Sequence, residues 1–135
     1  MLSTLKYQAC NDVSWQVQEI IATAFDQFCQ DNGYELSLPV INEWLGDENA
    51  NVCRAVIEGL RIWTNRPYFQ YHPQKAIQLI SAHKANENEY LRKSVGNSLR
   101  DINKKHPELV KNEICNWNLA DKKIAFTYQY VLKRH

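Results

Sequence analysis

Glu19, Arg54 and Lys93 stand at matched places in three stretches of similar sequence, and Thr23, Glu58 and Asn97 follow each of them by four residues. Asp26, Arg61 and Arg100 come three residues later again. Residues spaced four and three apart share one face of a helix, so each stretch presents its trio as a row. Carboxylates such as Glu19 and Glu58 can orient water or stabilise a developing positive charge. Cations such as Arg54, Arg61, Lys93 and Arg100 can neutralise an anion. The rows grade from acidic to basic along the chain. The same spacing also suits an ordinary solvated helix face, where a pair such as Arg54 with Glu58 is worth only about 0.3 to 0.5 kcal/mol.

The elements that carry these rows repeat. Val52, Val56 and Leu60 pair with Leu91, Val95 and Leu99 at an offset of 39 residues, and Val17, Ile21 and Phe25 precede the former set by 35. An offset of this size is a helical-repeat period. Helical periodicity dominates throughout, with no run of strand-like alternation. A helix is expected from about Ser14 to Gln30, capped by Ser14 or Asp12, burying Trp15, Ile20, Ile21, Ala24, Phe25 and Phe28, and ended by Asn32-Gly33. A short helix follows from Pro39 to Leu45. Further helices are expected over 51–63, 73–83, 89–105, 107–117 and 121–134. Pro73 and Pro107 open two of them, and Asn65-Arg66-Pro67 is a break. The fold read from this pattern is all-α. It is a HEAT-like repeat superhelix of about three antiparallel helix pairs plus a terminal helix, spanning residues 1–135 as a single domain.

Composition narrows the function classes. The 135 residues carry a net charge of +1, unevenly distributed. Residues 1–53 hold one basic residue against eight acidic ones, and residues 54–135 hold fifteen against seven. Such polarity lets one surface face a polyanion while the whole stays near neutral. The four cysteines, Cys10, Cys29, Cys53 and Cys115, have no close pair, which argues against a metal cluster or disulfide framework and fits a reducing cytoplasm. No apolar run approaches the length of a membrane span, and no secretory signal opens the chain. His72, His83, His106 and His135 are scattered without ligand-spaced partners. There is no phosphate-cradling glycine loop and no serine or cysteine nucleophile motif, so no metal or cofactor is expected. Trp63, Tyr68, Phe69 and Tyr71 could stack on a base or pack a corner between helix pairs.

The strings RAVIEGLRIWTNRPYF and EYLRKSVGNSLRDINKKHPELV, each followed by an amphipathic helix, resemble the AlkD and AlkC group of DNA alkylation-repair glycosylases. The likeness runs from about Ser14 to Trp117. It implies HEAT-like repeats that cradle duplex DNA and excise cationic N3- and N7-alkylated purines. Trp15 with Glu19 one turn later resembles the AlkD-type tryptophan and catalytic aspartate, with glutamate in the acidic place. Arg54 takes the place of the arginine that holds the DNA backbone near the lesion. Asn97 falls where AlkD-type enzymes have a second tryptophan, and AlkC-type members are similar to this chain in having asparagine there. AlkD-like enzymes carry additional helices ahead of the segment matching Trp15, so the resemblance makes this chain a short member.

On that resemblance Glu19 is the first choice of catalytic carboxylate and Glu58 the second. Arg54, Arg61, Lys93 and Arg100 would neutralise phosphates, with Arg92, Lys104 and Lys105 extending the track along the duplex. Two other readings stand beside it: a non-catalytic DNA-binding relative, and a helical-repeat scaffold for another protein. Association of two copies to complete the cradle is also open.

Overall fold

The structure is a computed structural model that describes residues 2–11, 15–60 and 63–133. Among them are nine α-helices, one 3-10 turn and no strand, so the chain is an all-α helical-repeat protein. In chain order the helices are α1 (Leu2–Asn11), α2 (Trp15–Asn32), α3 (Leu38–Leu45), α4 (Ala50–Gly59), α5 (Pro67–Tyr71), α6 (Pro73–Ser81), α7 (Glu89–Lys105), α8 (Pro107–Ile114) and α9 (Lys122–Leu132). The 3-10 turn, Trp63–Asn65, precedes α5. No helix among the described residues is long and apolar enough to cross a membrane. The chain divides into two compact units, Met1–Arg61 and Ile62–His135.

In the first unit α2 lies along α4, with α1 against both and α3 against α4. Ile21, Phe25 and Cys29 of α2, Ile41 and Trp44 of α3, and Val52, Val56 and Ile57 of α4 form its core. The Phe25 and Trp44 rings meet with centroids 4.6 Å apart. Gly33 turns the chain after α2 with φ of +86°, a conformation that glycine adopts without strain. Lys6 of α1 pairs with Asp47 at 3.2 Å and Glu43 at 3.8 Å, tying the first helix to the end of α3 and the turn beyond it.

In the second unit α7 is central, touching the 3-10 turn, α6, α8 and α9. Leu91, Val95, Leu99 and Ile102 are its fully buried apolar residues. His72-Pro73 and His106-Pro107 make matching corners: each histidine has φ near −131° and ψ near 60°, with −130°, 60° at His72 and −132°, 61° at His106. Each proline then opens a helix where its missing N–H costs nothing.

The repeat extends to the helix starts. The Asn49 side chain caps α4 by accepting from Asn51 N and Val52 N, and the Asn88 side chain caps α7 by accepting from Leu91 N at 3.0 Å. Two residues before each cap a second side chain accepts the cap's own N–H: Asp47 from Asn49 at 2.8 Å, and Asn86 from Asn88 at 2.9 Å. Asp121 caps α9 in the same way, accepting from Lys123 N and Ile124 N. Val52, Leu91 and Ile124, each three residues past its cap, are all buried. The start of α9 therefore repeats the cap and first buried position of α4 and α7.

Several expectations need correction. α1 is a helix that the sequence pattern did not suggest. The stretch expected to be helical over 51–63 ends at Gly59, and α5 forms directly after the Pro67 break because proline also suits a first turn. Ile20, expected in the core, is 67% exposed. The proposed caps Asp12 and Ser14 lie outside the described residues.

Candidate functional site

Two helices of the first unit carry the two carboxylates and the arginine. Glu19 is exposed on α2, while Arg54 and Glu58 are half-buried on α4. α2 and α4 cross closely: a Cβ added at Gly59 would lie 2.5 Å from the Ala22 carbonyl oxygen. Ala22 is one turn beyond Glu19, and Gly59 directly follows Glu58, so the crossing fixes the separation of the acidic and arginine-bearing faces. Behind Glu19 on α2 the polar groups are used locally. Thr23 Oγ1 donates to the Glu19 carbonyl at 3.0 Å, and the Tyr34 hydroxyl donates to Asp26 Oδ1 at 2.8 Å. The Glu19 carboxylate is in none of the ion pairs found among the described residues. A carboxylate so placed can accept a water or face a positive centre.

Arg61 and the side chains of Trp15 and Trp63 lie outside the described residues, although the backbone of Trp15 opens α2.

In the second unit the basic residues differ in availability. Lys93 is half-buried, pairs with Glu89 at 3.7 Å and sits 5.4 Å over the Tyr90 ring. Asn97, four residues on, is half-buried. Lys104 is exposed and pairs with Asp101 at 3.7 Å, and Lys105 donates to Asn65 Oδ1. Arg92 donates to the Asn86 carbonyl at 2.7 Å and the Glu87 carbonyl at 3.3 Å, with its guanidinium 4.9 Å over the Phe126 ring. It thus ties the α7 start to α9.

Arg100 corrects the expected row. It is 9% exposed, and its Nη1 donates to the Tyr130 carbonyl at 3.4 Å. The physical reason is the crossing of α7 and α9: a Cβ at Gly96 would lie 2.3 Å from Tyr130 Cβ. So close a contact one turn before Arg100 brings α9 over the arginine, which then meets the carbonyl-rich end of α9. Sequence spacing gives the angle of a residue around its helix, and it does not say which neighbour covers that angle.

Nothing else among the described residues offers a reactive centre. Burial pushes the Cys29 thiol up to about 11 and the Cys53 thiol to about 12, so both are protonated at neutral pH. No group of three or more histidine, cysteine or acidic side chains among the described residues could hold a metal ion. Of the aromatic cluster, Phe69 is buried, Tyr68 packs edge-on to it at 5.2 Å and Tyr71 is 78% exposed.

Charge separates the two units. Three basic residues accompany nine acidic ones in residues 1–61, whereas thirteen accompany six in residues 62–135.

The family model described as "DNA alkylation repair enzyme" matches residues 7–128. Two structures from Streptococcus mutans superpose on 98% of the chain with a TM-score of 0.95: smu.31 from strain UA159, 49% identical, and AlkD2, 50% identical. The chain spans 66% of the former and 64% of the latter. Pseudomonas fluorescens alkylpurine DNA glycosylase AlkC, bound to DNA containing an abasic site analog, matches 87% of the chain at 30% identity and a TM-score of 0.70, over 35% of AlkC. The uncharacterized protein YhaZ of Bacillus subtilis (strain 168) is 32% identical over 78 residues, which is 55% of this chain and 22% of YhaZ.

Proposed function

The chain belongs to the DNA alkylation repair enzyme family, and from that premise we propose that it binds alkylated duplex DNA and hydrolyses the N-glycosidic bond of cationic N3- or N7-alkylated purines. The observation that carries this reading is the exposed Glu19 on α2, held by the Gly59 crossing against the helix that bears Arg54 and Glu58.

The chemistry asks little of the protein. An alkylated purine is already positive, so the C1′–N bond can break with its electron pair leaving on the base, which departs neutral. Positive charge then builds on the deoxyribose. A carboxylate beside the sugar stabilises it and accepts a proton from the water that adds at C1′. Glu19 is the residue we assign to that role, with Glu58 as the second candidate. Arg54 and Lys93 hold phosphates, and such contacts position the duplex without reading its sequence. The four cysteines suit work in a reducing cytoplasm.

The test is release of 3-methyladenine or 7-methylguanine from methylated duplex DNA. Release by the native chain and its loss in a Glu19→Gln, Glu58→Gln double variant is expected; release equal in both would end the reading. A second reading, DNA binding without catalysis, is favoured by the burial of Arg100 and the internal bonding of Arg92, which leave fewer cations for the backbone. It predicts duplex affinity that falls steeply with salt while methylated DNA stays intact.

A further inference from the structure

Counting from each cap, the fifth and ninth residues of the repeated helix are Arg54 and Glu58 after Asn49, Lys93 and Asn97 after Asn88, and Phe126 and Tyr130 after Asp121. The positions that carry polar groups in α4 and α7 therefore carry two aromatic rings in α9. Both residues are half-buried, and their rings lie with centroids 5.1 Å apart and planes tilted by 36°.

Two cations lie over these rings, and a third cation–ring pair stands on α7. Arg92 sits 4.9 Å from Phe126, Lys133 lies 5.0 Å over Tyr130, and Lys93 lies 5.4 Å over the exposed Tyr90 on the adjoining helix. All of these residues belong to the second unit, which holds thirteen basic residues against six acidic ones. Aromatic faces interleaved with cations are the composition that nucleic-acid strands meet in single-strand binding sites, where bases stack and phosphates pair.

We propose that Phe126 and Tyr130 form a stacking platform for unpaired bases of single-stranded DNA. The surrounding groups divide the work. Arg92 is fixed by two carbonyl bonds, so it holds the Phe126 ring in place. Gly96 admits the Tyr130 backbone against α7 and thereby sets the depth of the second ring. Lys133 is exposed just past the end of α9, and an exposed cation on a ring is weakly held. It leaves the Tyr130 face for a phosphate when a base arrives. Lys93 exchanges its surface pair with Glu89 for a second phosphate.

This inference rests on the reading of the chain as a DNA-binding protein, and its test separates the two. Affinity of the full chain is measured at one low salt concentration for an oligothymidylate about 12 nucleotides long and for a mixed-sequence duplex. Tyr130→Leu keeps the Cβ that packs against Gly96 and removes the ring. It is expected to weaken oligothymidylate binding about tenfold with duplex affinity unchanged, and Phe126→Leu is expected to do the same. Tyr130→Phe should bind as the native chain does. Lys133→Gln should reduce the slope of log affinity against log salt by about 0.7. Native-like oligothymidylate binding by both leucine variants would overturn the platform, as would an equal loss in Tyr130→Phe. A native chain that binds duplex and not oligothymidylate overturns the platform alone. A native chain that binds neither overturns the DNA reading and the platform with it.

Discussion

α4 and α7 are two copies of one pattern, and they part where a glycine lets each lie close against another helix. Both start from an asparagine cap preceded by a second side chain that fixes it, and both bury the same apolar positions. In α4 the close contact is at Gly59 and reaches Ala22 of the preceding copy; in α7 it is at Gly96 and reaches Tyr130 of the following one. Ile57 stands in α4 where α7 has Gly96. The consequence is visible in the polar row. Its first two positions are half-buried in both helices, and in α7 the third, Arg100, is covered where it meets α9. A repeat fixes caps and core alike, and in α7 the close approach at Gly96 goes with a covered third position of the polar row.

The strongest disturbance should come from filling the crossings. Alanine normally stabilises a helix relative to glycine, but at Gly59 the new carbon would meet a backbone oxygen at 2.5 Å and at Gly96 the root of a side chain at 2.3 Å. Neither neighbour has a flexible end that can move aside. Gly59→Ala and Gly96→Ala are each expected to destabilise by about 2 to 3 kcal/mol, within the range of overpacking, seen as a lower urea midpoint. A stabilised Gly59→Ala variant would show that the α2–α4 crossing is not the rigid spacer described above.

The caps should matter less and equally. Asn49→Ala and Asn88→Ala are each expected to cost about 1 kcal/mol, because each removes an acceptor for N–H groups of the first turn. Costs that differ by more than about 1 kcal/mol would break the equivalence of the two copies.

The smallest difference lies before the caps. The Asn49 N–H, with help from Lys6, holds the Asp47 carboxyl below the usual carboxylate range, while the matching position in α7 is the uncharged Asn86. A depressed folded pKa gives stability that is present above the unfolded value and is lost as pH falls through the folded one. Asp47→Asn should therefore lose less stability than the native chain between about pH 5 and pH 2, measured as urea midpoints. Equal acid sensitivity in the two proteins would assign the loss to other carboxylates.

Much of this was legible from residue spacing. The helix expected over 89–105 is α7 from Glu89 to Lys105, because it has an asparagine cap at one end, a proline just past the other and strict apolar spacing between. The family likeness rested on that helix and on α4, and the family match includes both. α1 was missed because Leu2–Asn11 has no acidic residue in its first turn, no basic residue in its last and no strong apolar face. α9 was read as a helix, but its start was not read as a repeat of the α4 and α7 pattern, since its row holds aromatic residues where the others hold polar ones; the shared signal is the cap Asp121 and the buried residue three places on. Ile20 and Arg100 were misplaced for one reason. Helical spacing orders residues around an axis, and burial depends on which side a neighbour takes.

The most direct measurement is single-turnover release of 7-methylguanine from methylated duplex DNA by the native chain, Glu19→Gln and Glu58→Gln, with duplex affinity recorded for each. Loss of at least about a hundredfold in rate in Glu19→Gln, with affinity retained and a smaller loss in Glu58→Gln, is the predicted result. Release by Glu19→Gln at the native rate would contradict the assignment of Glu19 as the carboxylate that stabilises the sugar.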